Sequence, residues 1–400
     1  MAGKKGYAYY RSLEEDPSLH ERHREVIRVV NLLLNGLRAV IVGRELERVA
    51  TSVVVGLFSV SDSKPAMTHV KLRQEGDELV KETVFSEGIV VSGNILLTGP
   101  PGGGKTYLAE TLASLSGLSL AFVQMTPDLT PQDLIVTDVL EGDKVFTYYG
   151  PVFRHILLAD EINRATPKTQ SALIQRMSSG AVTFNKDGKN ITKVLPTPCF
   201  TIASRNPIEQ EGTYPLPEAQ LDRFLYHVYF SLPSRQTLED VARFVPGQRD
   251  MALQPVTEED DILKSRDFIA REIEVPEKMI KYMARLIEAT YSPLDHGLFP
   301  ELKEKLAGEP LLSLPPNSRA ILHLRNSSQT LACIAGERVV GPYNIKKRFY
   351  EAVNHRFVIN PRVRGLLMEY GGPERFLRIL IKGDPDKRQH GLLDVIPIEE

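Results

Sequence analysis

Two cysteines in 400 residues cannot build a disulfide framework, and both sit in apolar runs where they read as small core residues of a reduced protein. No stretch approaches the ~18 apolar residues that a bilayer-spanning helix needs. The basic N-terminal segment MAGKKGYAYYRS has no apolar core behind it and does not read as a secretory signal. A net charge of −2 leaves no global basic field for holding nucleic acid non-specifically. Nine histidines show no zinc-like spacing, and His20 and His23, on one helix face, read as a solvated pair. Internal repeats and low-complexity runs are absent. These absences lead to the expectation of a soluble, cytoplasmic protein without membrane insertion. Its length and 42% hydrophobic content suit two or three domains.

Against that plain background stands GPPGGGKT at 99–106. It fits the phosphate-binding pattern G-x-x-x-x-G-K-[ST], which arises by chance in roughly one chain in a hundred of this length. The apolar run Ile95-Leu96-Leu97-Thr98 precedes it and a helix-like run from Tyr107 comes after, which is the context the motif requires. Glycines let backbone N–H groups curl around phosphate oxygens, and the helix N-terminus adds partial positive charge. The candidate nucleotide-binding segment is therefore Gly99, Pro100, Pro101, Gly102, Gly103, Gly104, Lys105, Thr106 and Tyr107. Lys105 would reach the β- and γ-phosphates of ATP, and Thr106 would ligate Mg²⁺.

A second apolar run, His155 to Ala159, ends in Asp160-Glu161. A run of this length bounded by Gly150-Pro151 reads as a buried parallel strand, whose C-terminal end is where open α/β sheets place ligands. Asp160 would hold the Mg²⁺ shell, and Glu161 would polarise the attacking water.

Apolar runs at 94–98, 119–125, 154–159, 199–203 and 224–230 alternate with helical ones at 106–116 and 166–178. That alternation calls for an α/β fold, a parallel five-stranded sheet between helices. Helices are expected at 18–34, after Gly43, and at 237–244, 277–290, 317–335 and 342–357. The polar stretch 59–93 contains Gly76-Asp77, which could turn a hairpin of 68–74 against 79–85, and a second hairpin is expected over 181–193.

The segments LLADEINRATPKTQSALIQRM (157–177) and NPIEQEGTYPLPEAQLDRF (206–224) resemble the signature stretches of MoxR-type AAA+ ATPases, as do MTPDLTPQDL (125–134) and GPVFRHI (150–156). The resemblance implies an AAA+ phosphate-loop core joined to a smaller α-helical lid. The expected divisions are an N-terminal extension (1–35), the core (36–232, with 59–93 inserted), the lid (233–360) and a tail (361–400) without a family parallel. It also implies that Val42 and Gly43 contact adenine. Asn206 matches the sensor of the γ-phosphate, Arg223 the arginine finger that enters a neighbouring subunit's nucleotide, and Arg319 the second sensor. Asn317-Ser318 replaces the Ser-Pro usual before that arginine, and Arg205 replaces the usual glutamine before the sensor asparagine. The resemblance implies that the 181–193 hairpin points toward a ring's pore, and that a second family insertion falls near 130–144.

The resemblance implies a homo-oligomeric ring, expected to be a hexamer, in which Mg-dependent ATP hydrolysis drives chaperone-like remodelling of a protein client. A von Willebrand A domain partner would be a separate chain. Two other readings compete. One is a nucleic-acid motor of the same clade, with Lys186, Lys189 and Lys193 on the pore hairpin. The other is a nucleotide-gated scaffold with little turnover.

Overall fold

The computed structural model describes residues 19–40, 44–64, 68–75, 78–85, 89–100, 102–141, 144–186, 188–206, 212–230, 232–243 and 253–398. At its centre lie five parallel strands, β1 (Ile95–Thr98), β2 (Leu120–Gln124), β3 (Ile156–Asp160), β4 (Phe200–Arg205) and β5 (Tyr226–Tyr229), in the order β5-β1-β4-β3-β2. Each is nearly continuous apolar sequence because both sheet faces are covered. Ile95, Leu97, Ile156, Leu158 and Ile202 face a core shared with the helix Lys105–Ser116. Leu96, Leu157, Ala159 and Ala203 face the opposite core, with Leu173 and Met177 of the helix Pro167–Ser179.

Local chemistry fixes the ends of these helices. Gly104 (φ 80°) and Gly117 (φ 67°) take the left-handed conformation that bounds Lys105–Ser116. Thr166 caps Pro167–Ser179 by accepting from the Thr169 N–H, and Gly180 closes it. That helix also carries Arg176, fully buried. Its guanidinium donates to the Thr201 hydroxyl (3.1 Å) and to the carbonyls of His155 (2.8 Å), Phe200 (3.1 Å) and Val152.

The helix Glu21–Val40 is longer than expected, and it corrects the reading of His23. Residues beside it from Glu259–Glu272 and Ser318–Ile334 widen its buried face, so His23 has no exposed surface; its Nε2 meets the Cys333 carbonyl (3.1 Å), and its ring packs on Phe268. Burial lowers its pKa, so the ring is a neutral core residue rather than half of a solvated pair. Asp16-Pro17, which reads in sequence as the N-cap and first position of this helix, lies outside the described residues. In the polar stretch, Thr68–Glu75 pairs antiparallel with Glu78–Phe85, Gln74 opposite Leu79, as the Gly76-Asp77 signal predicts. The turn itself lies outside the described residues. Ala181–Lys186 and Lys189–Val194 form the second expected hairpin. A further one, Val136–Glu141 with Lys144–Tyr149, overlaps the stretch near 130–144 where the resemblance implies an insertion.

After the sheet the chain is mostly helical, through Arg235–Ala242, Glu259–Glu272, Glu277–Ala289, Ser318–Ile334 and Pro342–Val353. Residues past 360 continue this packing: Pro373–Lys382 buries Phe376, Leu377, Leu380 and Ile381 in the same core. A buried carboxylate joins these layers. Glu351 meets Lys382 (3.3 Å), and Arg348 and Arg48 (each 3.9 Å), so the last long helix, Pro342–Val353 and Arg44–Phe58 share one charge cluster. Burial raises the Glu351 carboxyl, but the three cations outweigh it and hold the pKa below 4.5. Its stabilisation is complete above about pH 4.5 and is lost as pH falls through the folded value. Glu351→Gln should therefore cost about 3 kcal/mol at neutral pH. It should also flatten the acid limb of the stability curve, as read by denaturant titrations at several pH values.

Candidate functional site

The C-terminal ends of β1, β3 and β4 converge, and most candidate residues gather there. The loop after β1 runs back on itself. Gly102 (φ 73°) and Gly104 (φ 80°) occupy conformations that side chains disfavour. Gly99 lies so close to Phe230 that a Cβ at Gly99 would stand 2.4 Å from the Phe230 Cβ. Lys105 is 9% exposed and donates from Nζ to the Gly99 carbonyl (3.1 Å). Burial lowers its pKa, while the carboxylates of Asp160 and Glu161 pull it back up. A buried ammonium facing two carboxylates across a glycine cradle suits a polyphosphate carrying a divalent cation. Thr106 is half-buried beside it and Tyr107 exposed. Gly99→Ala should displace Phe230 or the loop. Isothermal calorimetry should find nucleotide affinity reduced at least about tenfold, with an overpacking cost of about 1–3 kcal/mol.

Asp160 and Glu161 are aligned by residues to which neither the motifs nor the resemblance assigns a role. The Ser204 hydroxyl donates to Asp160 Oδ1 and accepts from the Glu161 N–H (3.2 Å). Glu161 itself is held at φ 55°, ψ 47°, a left-handed conformation that costs a non-glycine residue about 1–2 kcal/mol. Its carboxylate accepts from Gln124 Nε2 (2.9 Å), at the end of β2, and from Arg164 Nε (2.8 Å). Gln124, Arg164 and Ser204 thus join the site. Ser204 carries the one usable sequence signal, since it lies two residues before Asn206 on a strand and so on the same face. Asn206 is buried at the end of β4.

Arg205 points elsewhere. Its Nε donates to Thr98 Oγ1 (2.7 Å), and Thr98 Oγ1 also meets His227 Nε2 (2.7 Å). Burial, then Arg205, drives the His227 pKa well below 6.5, so the ring is neutral. Arg205 therefore braces β4 to β1 and β5 one residue before the phosphate loop.

Arg223 and Arg319 are not part of this gathering. The Leu225 N–H bonds the Asn94 carbonyl (2.7 Å), at the N-terminal end of β1, whereas Lys105 lies beyond its C-terminal end. Four strand residues separate the two levels by ~13 Å. Arg319 is tied to the same distant end: its Nη1 meets Asp222 Oδ2 at 2.6 Å. Burial raises the Asp222 carboxyl, but Arg356, then Asn317 and Arg319, outweigh it and keep it below the usual carboxylate range. Val42, Gly43 and Pro101 lie outside the described residues, as do 207–211. Among the described residues, no group of three or more His, Cys, Asp or Glu could hold a metal ion, and no helix is long and apolar enough to cross a membrane.

The profile of the ATPase family associated with various cellular activities (AAA) matches residues 94–226. Chaperone MoxR1 of Mycobacterium tuberculosis is 33% identical over 285 residues, 71% of this chain and 72% of the relative. The uncharacterized protein YeaC of Bacillus subtilis is 32% identical over 282 residues, 69% and 81% of the two chains. Protein MoxR of Paracoccus denitrificans is 25% identical over 281 residues, 67% and 80%. A crystal structure from Cytophaga hutchinsonii, assigned as an ATPase, superposes with a TM-score of 0.73 at 26% identity, covering 95% of this chain and 98% of that one.

Proposed function

The chain belongs to the MoxR family of AAA+ ATPases, and from that premise we propose that it forms a hexameric ring whose subunits hydrolyse MgATP at shared sites to remodel a protein client. Lys105 and the loop N–H groups would bind the triphosphate. Thr106 and Asp160 would hold Mg²⁺, which neutralises phosphate charge when bound. Glu161 takes a proton from the water that attacks the γ-phosphorus, while the bond to the β–γ bridging oxygen breaks. Gln124 and Arg164 hold its carboxylate in place for that step. Asn206 orients the water or the γ-phosphate.

One observation carries the assembly: the ~13 Å of β1 between the level of Leu225 and the phosphate loop. Arg223 lies beyond reach of its own chain's phosphates, which supports a role in a neighbour's site. Arg319, paired with Asp222 at the same end, would then serve that neighbouring site too. A polypeptide client is supported by the chaperone name of the Mycobacterium relative and by the hairpin Val136–Glu141/Lys144–Tyr149, which exposes Leu140, Val145, Phe146 and Tyr148. Of the three lysines that would track phosphates, Lys193 is less available, because its Nζ is drawn over the Tyr149 ring at 3.5 Å. A von Willebrand A domain adaptor would be a separate chain. The test is ATP turnover per subunit across a wide range of protein concentration. Specific activity should rise with concentration and plateau as rings form; a flat profile with monomers at every concentration overturns the shared site.

A further inference from the structure

The finger segment is held from an unexpected side. Asp222, Arg223 and Phe224 belong in sequence to the α/β core, yet the groups that grip them come from the helical region after it. Arg356 is 5% exposed and sits against this segment as a clamp. Its Nε donates to Asp222 Oδ1 (2.9 Å), and its Nη2 faces the carbonyls of Asp222 (3.0 Å) and Phe224 (2.9 Å). The two carbonyls flank Arg223, so one guanidinium fixes the backbone on both sides of it. His323 Nδ1 accepts from the same Nη2 (2.8 Å), the Ala352 carbonyl accepts from Nη1, and His355 Nε2 donates to the Phe224 carbonyl (3.0 Å). Arg319 occupies the remaining Asp222 oxygen (2.6 Å).

Such density is more than fold stability asks. A buried Arg–Asp pair contributes little net stability but fixes geometry, because two forked donors and two acceptors meet in one arrangement. Here the geometry fixed is that of the residue between the acceptors. The helical region is in turn bonded to the phosphate-loop helix, since the N–H groups of Val256 and Thr257 both donate to the Leu115 carbonyl (2.8 and 3.3 Å). A continuous run of bonded elements therefore leads from Lys105–Ser116, through the helices, to Arg223.

We propose that Arg356, with Asp222, is the positioning residue of the arginine finger, so that the helical lid and not the sheet sets how Arg223 is presented to the neighbouring subunit. This rests on the reading that Arg223 acts on a neighbour's nucleotide. Arg356 touches no substrate; it acts through Arg223.

Mixed assemblies separate the two claims. A Glu161→Gln chain keeps its finger but has a silent site, and an Arg223→Ala chain keeps its site but lacks a finger. Mixed before ATP is added, they should regain turnover where a donor finger enters an acceptor site. If this reference pair regains none, the shared-site reading itself fails. If it does, Arg356→Met or the near-isosteric Asp222→Asn is added to one partner at a time. In the donor either change should reduce the regained rate at least about tenfold, a fraction of the 10³–10⁵ that a finger supplies. In the acceptor the same change should reduce it far less, and Arg356→Lys in the donor should recover part of the loss. Equal losses from either side would mean that Arg356 only supports the fold, and no loss from the donor side would mean that the finger does not need it. Either result overturns the proposal.

Discussion

Arg223→Ala should lower kcat for ATP by about 10³–10⁵ while leaving nucleotide affinity near wild type. The size reflects what the site lacks. Phosphoryl transfer puts charge on the leaving bridging oxygen, and fixed cations in a water-poor site stabilise it most. Lys105 is the cation of the phosphate loop. Arg164 is committed to Glu161, and Arg205 turns toward Thr98 and His227. Neither of these basic neighbours is aimed toward the phosphate loop's mouth, which fits the proposed supply of charge from a neighbouring subunit. Affinity stays because the interaction forms in the transition state rather than the ground state. The measurement is saturation kinetics on the assembled variant, with particle size checked alongside. Assembled particles that retain more than about a tenth of wild-type kcat, a change worth only about 1.4 kcal/mol, would leave Arg223 without the role of finger.

Glu161→Gln should reduce turnover by about 10²–10⁴, with ATP bound as tightly as before or more so. The amide keeps the size of the side chain and can still accept from Gln124 and Arg164, so the local geometry survives. What disappears is the base. One negative charge near Lys105 also disappears, which favours a bound polyphosphate. Single-turnover and binding measurements separate the two effects. A variant that still hydrolyses ATP at a comparable rate would shift the task of activating water to another group. A variant that holds ATP without turning it over becomes a trap for the client.

Legibility in the sequence tracked the range of the interactions. The phosphate loop and the five strands could be read because each is a contiguous pattern whose meaning is local: glycines before a lysine, or apolar runs of strand length. The Thr68–Glu75/Glu78–Phe85 hairpin was legible for the same reason. The hairpin at Val136–Glu141/Lys144–Tyr149 carries an equivalent signal, Gly142-Asp143 between two alternating runs, yet the family pattern marked it only as an insertion. Gln124 could not be read as a site residue, because strand register alone brings it to Glu161, whereas the spacing of Ser204 to Asn206 was a signal left unused. The Arg356–Asp222 clamp joins positions 134 apart in sequence, and no local spacing announces it. The burial of His23 likewise depends on helices that arrive hundreds of residues later.

The ladder beneath the longest hairpin has an architectural consequence. Val60–Lys64 pairs antiparallel with Ile89–Ser92, with Lys64 directly opposite Ile89, and Val91 bridges to Cys199 at the N-terminal end of β4. The chain therefore leaves and re-enters the body at neighbouring points, so a short turn could close the gap with little loop-closure entropy. Excising the segment beyond that seam, exchanging it or fusing a reporter there should therefore leave the ATPase body able to fold.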